Sequence, residues 1–112
     1  MAAKNPPFLP GVPELLILNC LRGRQMYGYE LVQAIRVATG EDIVLGEGVV
    51  YPVLHRLERE GALHARRQTV NGRSRIYYRL TETGTSRLEA LAATWRRLNA
   101  AVATALGEAR HA

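Results

Sequence analysis

The apolar pattern of this chain changes period twice, and each change fixes the kind of element that the flanking residues can form. From Gly48 to Gly61, Val50, Val53, Leu54 and Leu57 recur at the i, i+3, i+4, i+7 spacing of one helical face. Past Gly61 the period drops to two. Ile76, Tyr78 and Leu80 alternate with Arg75, Tyr77 and Arg79, as a strand with one face on a core and one in water requires. Asn71-Gly72 separates the runs 63–70 and 73–80, and this dipeptide is the strongest short-range signal for a tight hairpin turn. Beyond Thr81 the helical spacing returns, with Leu88, Leu91, Trp95, Leu98, Val102 and Ala105 set three and four residues apart in alternation. A chain written this way is mainly α, with a small two-stranded β-hairpin between helices.

The helix of the first run contains a proline. Pro52 has no N–H to give, so the sequence predicts that it lies in the first turn of a helix starting near Gly46 to Gly48, with Gly61 as a left-handed stop. Upstream, Pro13 and Glu14 suit a helix start, and Leu15, Leu16, Ile17 and Leu18 make a helix over 13–21 apolar nearly all round and buried on more than one side. Arg22-Gly23-Arg24-Gln25 reads as a polar turn. A second helix opens near Tyr27 or Gly28, sends Leu31 and Ile35 inward, with Val32 and Ala38 as further candidates, and stops at Thr39-Gly40. Thr81 is placed to cap the last helix, with Glu82 in its positive first turn. The division expected is a flexible arm over 1–12, a helical unit with its hairpin over 13–81, a long helix over 82–107 and a fraying tail over 108–112. At 112 residues this is one domain, with no room for a second folded unit.

The spacing of the last helix is that of a coiled-coil seam, which needs a partner. A second copy across a two-fold axis covers it most simply, so Leu88, Leu91, Trp95, Leu98 and Val102 are expected in a homodimer interface.

Charge points to the class of ligand. The net charge is +5 and Lys4 is the one lysine, so nearly all of the positive charge is arginine, whose planar fork suits phosphate and guanine edges. Between Gly61 and Leu80 stand Arg66, Arg67, Arg73, Arg75 and Arg79 and no acidic residue. Three helices, a basic hairpin and a long helix follow one another in the order of a winged helix-turn-helix with a dimerisation helix attached. The helix over 48–60 would enter the major groove and the hairpin would lie along its flank. Tyr51, His55 and Arg59 fall off the apolar stripe and are candidates for DNA contact; for Tyr51 the competing role is packing, and for Arg56 and Arg59 it is pairing with Glu60. Arg73 and Arg75, beside the turn, are the first candidates for phosphate, whereas Arg66, Arg67 and Arg79 stay divided between phosphate and solvent.

These residues also resemble the PadR-like transcriptional regulators. The likeness covers about Pro13 to Leu106 and rests on Gly28-Tyr29-Glu30-Leu31, on Gly48-Val49-Val50-Tyr51-Pro52-Val53-Leu54 with Arg56-Leu57-Glu58 and Gly61, and on Tyr77-Tyr78-Arg79-Leu80-Thr81 with Gly84. The single C-terminal helix is similar to the short subgroup of that family. The resemblance implies that Tyr29 and Tyr51 lie by the DNA backbone and that Arg73 and Arg75 reach the minor groove or phosphates. It further implies a planar aromatic small-molecule effector stacked on Trp95 between the two C-terminal helices, a role that competes with plain packing of Trp95 in the seam. The chain departs from the family at Val49, where a serine or threonine is common, and at Tyr27, where a histidine is common.

The reading is therefore a cytoplasmic, homodimeric repressor that binds a pseudo-palindromic operator, with no cofactor. The alternative is a winged-helix module that binds protein and never touches nucleic acid. Enzymatic roles lack their residues: His55, His64 and His111 have no metal-ligand spacing, and Cys20 has no base near it in sequence and suits a core. No apolar run reaches the roughly 18 residues of a membrane span, and the prolines before residue 13 break up any signal-peptide core.

Overall fold

The computed structural model describes residues 11–108; the expected arm falls outside it up to residue 10, and the expected tail from residue 109. The elements are α1 (Val12–Cys20), β1 (Met26–Tyr27), α2 (Gly28–Ala38), α3 (Glu47–Arg59), β2 (Leu63–Val70), β3 (Arg73–Leu80) and α4 (Glu82–Ala105). Val12, expected in the arm, is already helical, with Gly11 at the N-cap.

The hairpin has the strand limits read from the sequence, and its turn shows why Asn71-Gly72 stands there: both residues have positive φ, 52° and 76°. That is a conformation open to Gly and, at small cost, to Asn. The sheet is not two-stranded as expected. Met26 and Tyr27 form a third antiparallel strand, paired with Tyr78 and Tyr77, so that the order is β1-β3-β2. A strand of two residues shows no alternation, so nothing in the sequence marks it between the turn at 22–25 and a helix opening near Tyr27 or Gly28.

Pro52 also departs from expectation. It sits inside α3, in the second turn and not the first. The bond it cannot make is to the carbonyl of Gly48, four residues back, and Gly48 is exposed, so water can take that acceptor. Tight bonds from the N–H groups of Val49 and Val50 to Gly46 O, both 3.0 Å, hold the helix start beneath it.

The core is one cluster in which Ile17, Leu18 and Leu21 of the α1 region meet Leu31 and Ile35 of α2, Val50, Leu54 and Leu57 of α3, Leu63 and Tyr78 of the sheet, and Leu88 of α4. Helix α1 touches α2, α3 and α4, which is why its apolar residues run nearly all round. Cys20 is buried in this core and burial raises its thiol pKa, as suits a packing residue. Leu45, from the loop before α3, is buried as well. Thr81 caps α4 by accepting from the Gly84 N–H at 3.0 Å and also donates to Gly61 O at 2.6 Å, tying the start of α4 to the end of α3.

Candidate nucleic-acid interface

The outward side of α3 carries Tyr51 and His55 one turn apart, with ring centroids separated by 6.2 Å. Tyr51 is half-buried because its ring rests on Gly28, the first residue of α2; a Cβ at that position would overlap the ring. Glycine therefore serves here as a seat for an aromatic side chain. Burial raises the Tyr51 hydroxyl above its ordinary range, with Glu47 and Tyr27 adding to the shift, so at neutral pH the group stays protonated and can donate a hydrogen bond.

Opposite α3 stands the hairpin, whose register decides which arginine faces where. Arg67 pairs with Ile76, Gln68 with Arg75, Thr69 with Ser74 and Val70 with Arg73. Paired residues share a face, so Arg67 and Ser74 lie on the side of Ile76 and Tyr78, whereas Arg66, Arg73, Arg75 and Arg79 share the other face with Tyr77. Arg67 donates to Ser74 Oγ at 2.8 Å. The Arg75 guanidinium lies over the Tyr27 ring, 4.4 Å from its centroid, and Tyr27 meets Tyr77 edge to face at 5.4 Å. Such a cation–π contact is worth ~0.5–1 kcal/mol at an exposed site, enough to bias one rotamer of a long side chain.

Between α3 and the hairpin runs a cleft of about 290 Å³, with Tyr51 and His55 on one wall, Ser74, Arg75 and Ile76 on the other, and Tyr27 and Gly28 at its end. It brings together three of the six expected DNA-contacting residues. Arg73 is exposed beside the turn, Arg59 is exposed in the last turn of α3, and Tyr29 is exposed in the first turn of α2; none of these lines the cleft. Arg56 is engaged elsewhere, in ion pairs with Glu14 at 3.0 Å and Glu60 at 3.3 Å. None of the hairpin arginines has an acidic partner among the described residues.

Two residues outside those six stand at or beside this surface: Tyr27, which lines the cleft, and Arg67, left divided between phosphate and solvent, which bonds Ser74 on its wall. The facing of Arg67 was within reach of the sequence: once Asn71-Gly72 fixes the turn, Arg67 must pair with Ile76 and take its face. Tyr27 had no such signal, because its position depends on a strand too short to see.

Along α4 the expected seam divides. Leu88 is fully buried in the chain's own core and Leu91 packs against it, while Trp95 (41% exposed), Leu98 (53%) and Val102 (54%) remain open. Leu88 is thus unavailable to a partner. Among the described residues there is no group of three potential metal ligands, and no helix is long and apolar enough to cross a membrane.

Residues 17–90 match the model of the transcriptional regulator PadR-like family. A transcriptional regulator of Mycobacterium tuberculosis is 39% identical over 74 residues, 66% of each protein. A PadR family transcriptional regulator from Eggerthella lenta is 32% identical and superposes with a TM-score of 0.75 over 87% of this chain and 83% of that one. Bacillus subtilis PadR, solved in complex with operator DNA, shares the fold with a TM-score of 0.67 at 24% identity, over 72% of this chain and 46% of that one. With that family match spanning the hydrophobic core, the cleft and the hairpin together, the chain belongs to the PadR-like family of transcriptional regulators.

Proposed function

We propose that the chain is a homodimeric repressor that reads a pseudo-palindromic operator in the cytoplasm, with α3 in the major groove and the β2–β3 hairpin as a wing beside it. The observation that carries this reading is the cleft of Tyr51, His55, Ser74 and Arg75, backed by a hairpin whose arginines have no acidic partner among the described residues. Unpaired guanidinium groups on a projecting ribbon have phosphate as their natural counter-charge. Tyr51 donates to the backbone at the groove edge, His55 and Arg59 point at base edges, Arg73 and Arg75 take phosphates, and Tyr29 adds a contact from the start of α2. That Bacillus subtilis PadR, which has the same fold, was solved in complex with operator DNA supports DNA as the partner. The subunits pair through Leu91, Trp95, Leu98 and Val102, which the monomer leaves open or half-covered.

Anisotropy titration of DNA selected from a random pool, repeated across salt concentrations, tests the reading. Each phosphate neutralised contributes roughly −0.9 to the slope of log K against log salt. Arg73→Ala and Arg75→Ala should each flatten the slope by about one such unit and weaken binding to all sequences alike. Unchanged binding in both variants would favour a protein-interaction module.

A second role is supported by the exposure of Trp95 on α4. An indole face open on a dimerisation helix suits a planar aromatic effector that releases the DNA. Tryptophan fluorescence titrated with a panel of planar aromatics should show quenching that saturates; no quenching across the panel leaves Trp95 as packing.

A further inference from the structure

Helices α3 and α4 each pack on α1, while their direct approach to each other is slight. Among the described residues, the polar contacts that join them directly lie at two points. The first is a pivot: Thr81 donates to Gly61 O, its N–H bonds to Ala62 O at 3.1 Å, and Gly84 lies so close to the Ala62 carbonyl that a Cβ would overlap it. The second is an ion cluster further along α4. Arg87 reaches Glu60 at 2.7 Å and Glu14 at 3.6 Å, and Arg56 reaches the same two carboxylates. The pivot and the buried Leu88 hold the start of α4 on the core, and the ion cluster adds a lateral restraint on its angle to α3.

We infer that Arg87, assisted by Arg56, is a positioning residue that sets the angle between α3 and α4, and through it the half-site spacing that the dimer accepts. The inference rests on the dimeric, DNA-reading function proposed above. Helix α4 has 24 residues and is therefore about 36 Å long. A tilt of roughly 10° about its N-terminus moves the stretch from Trp95 to Val102, about 20–30 Å along the helix, by about 3–5 Å, which is one to one and a half base pairs at ~3.4 Å each. In a symmetric dimer joined near Trp95 to Val102, such a tilt shifts both reading helices relative to the two-fold axis. Partly exposed ion pairs such as these add little to stability, and the buried Leu88 keeps α4 on the core without them. Loss of the Arg87 guanidinium therefore loosens the angle without unfolding the chain.

The test uses the full chain and DNA that the unaltered protein selects from a random pool, resynthesised with the half-site spacing changed by one and by two base pairs either way. The unaltered protein should prefer one spacing by tenfold or more over its neighbours. Arg87→Gln and Glu60→Gln should cut that preference to about threefold or less, while half-site affinity and salt slope stay as they were. Arg87→Lys keeps the charge but ends short of the Arg87 Nη1 that meets both carboxylates, so it should fall between them. It also carries the test should the glutamine variants fail to unfold cooperatively at a near-normal temperature. A spacing preference that stays at the unaltered level in the variants that fold would overturn the inference and leave the dimeric reading intact. Absence of any spacing preference in the unaltered protein would overturn both.

Discussion

At the scale of single residues, two glycines carry close approaches with different tolerance. A Cβ at Gly84 would strike the backbone carbonyl of Ala62, which cannot move without breaking the tie between α3 and α4; a Cβ at Gly28 would strike the far end of the Tyr51 ring, which can swing away. Gly84→Ala should therefore destabilise the chain by ~2–3 kcal/mol, at the upper end for overpacking, and Gly28→Ala by about 1 kcal/mol. Binding should reverse that order in proportion to stability. Gly28→Ala displaces a side chain at the cleft and should weaken DNA binding about tenfold, roughly the worth of one well-placed contact. Thermal unfolding and anisotropy on both variants check it, and a Gly28→Ala protein with full affinity would free Tyr51 of its assigned role. That Tyr51 stands off the apolar stripe was legible from spacing alone. That it rests on Gly28 was not, because the contact joins two helices whose crossing no local pattern encodes.

At the scale of elements, legibility follows the length of the repeat. The hairpin spans two runs of eight residues about a strong turn signal, and both limits were readable. Gly72 adopts a φ of 76°, so Gly72→Ala should cost about 1 kcal/mol, measured by denaturant unfolding, while leaving the register in place. No loss of stability would mean that the turn relaxes to another type. By contrast β1 is only Met26 and Tyr27, and nothing in two residues distinguishes a strand from a turn. Yet it matters for the interface, since Tyr27 supplies the ring under Arg75. The expectation for Pro52 failed for another reason. It took the missing N–H as decisive, whereas the position of the freed carbonyl decides: Gly48 O is close to the helix end and Gly48 is exposed.

At the scale of the whole molecule, the helical seam of α4 divides in a way that spacing could not show. Leu88 holds the helix to its own core, while Trp95, Leu98 and Val102 stay open. Of the ion cluster only the pair of Arg56 with Glu60, one helical turn apart, was legible; Glu14 lies 42 residues from Arg56, and Arg87 lies 27 from Glu60. The cluster has a pH signature. The Glu60 carboxyl is held below its ordinary range, first by the hydrogen bond from Arg87 and then by the charges of Arg56, Arg87 and Arg59. A lowered folded-state pKa means that the contribution is complete above the ordinary glutamate range and is lost as pH falls through the lowered value. Unfolding midpoints of the unaltered chain should thus decline on acidification, and Glu60→Gln should decline less over the same range. Parallel curves would remove Glu60 from the cluster's balance of charge.

The proposed dimer reads DNA with two copies of α3 and its wing together. Hydroxyl-radical footprinting on DNA selected from a random pool tests it most directly. Two protected patches related by a two-fold axis are expected, with centres about 10–10.5 base pairs, one helical turn, apart. One undivided patch without symmetry, or no protection at moderate salt, would contradict it.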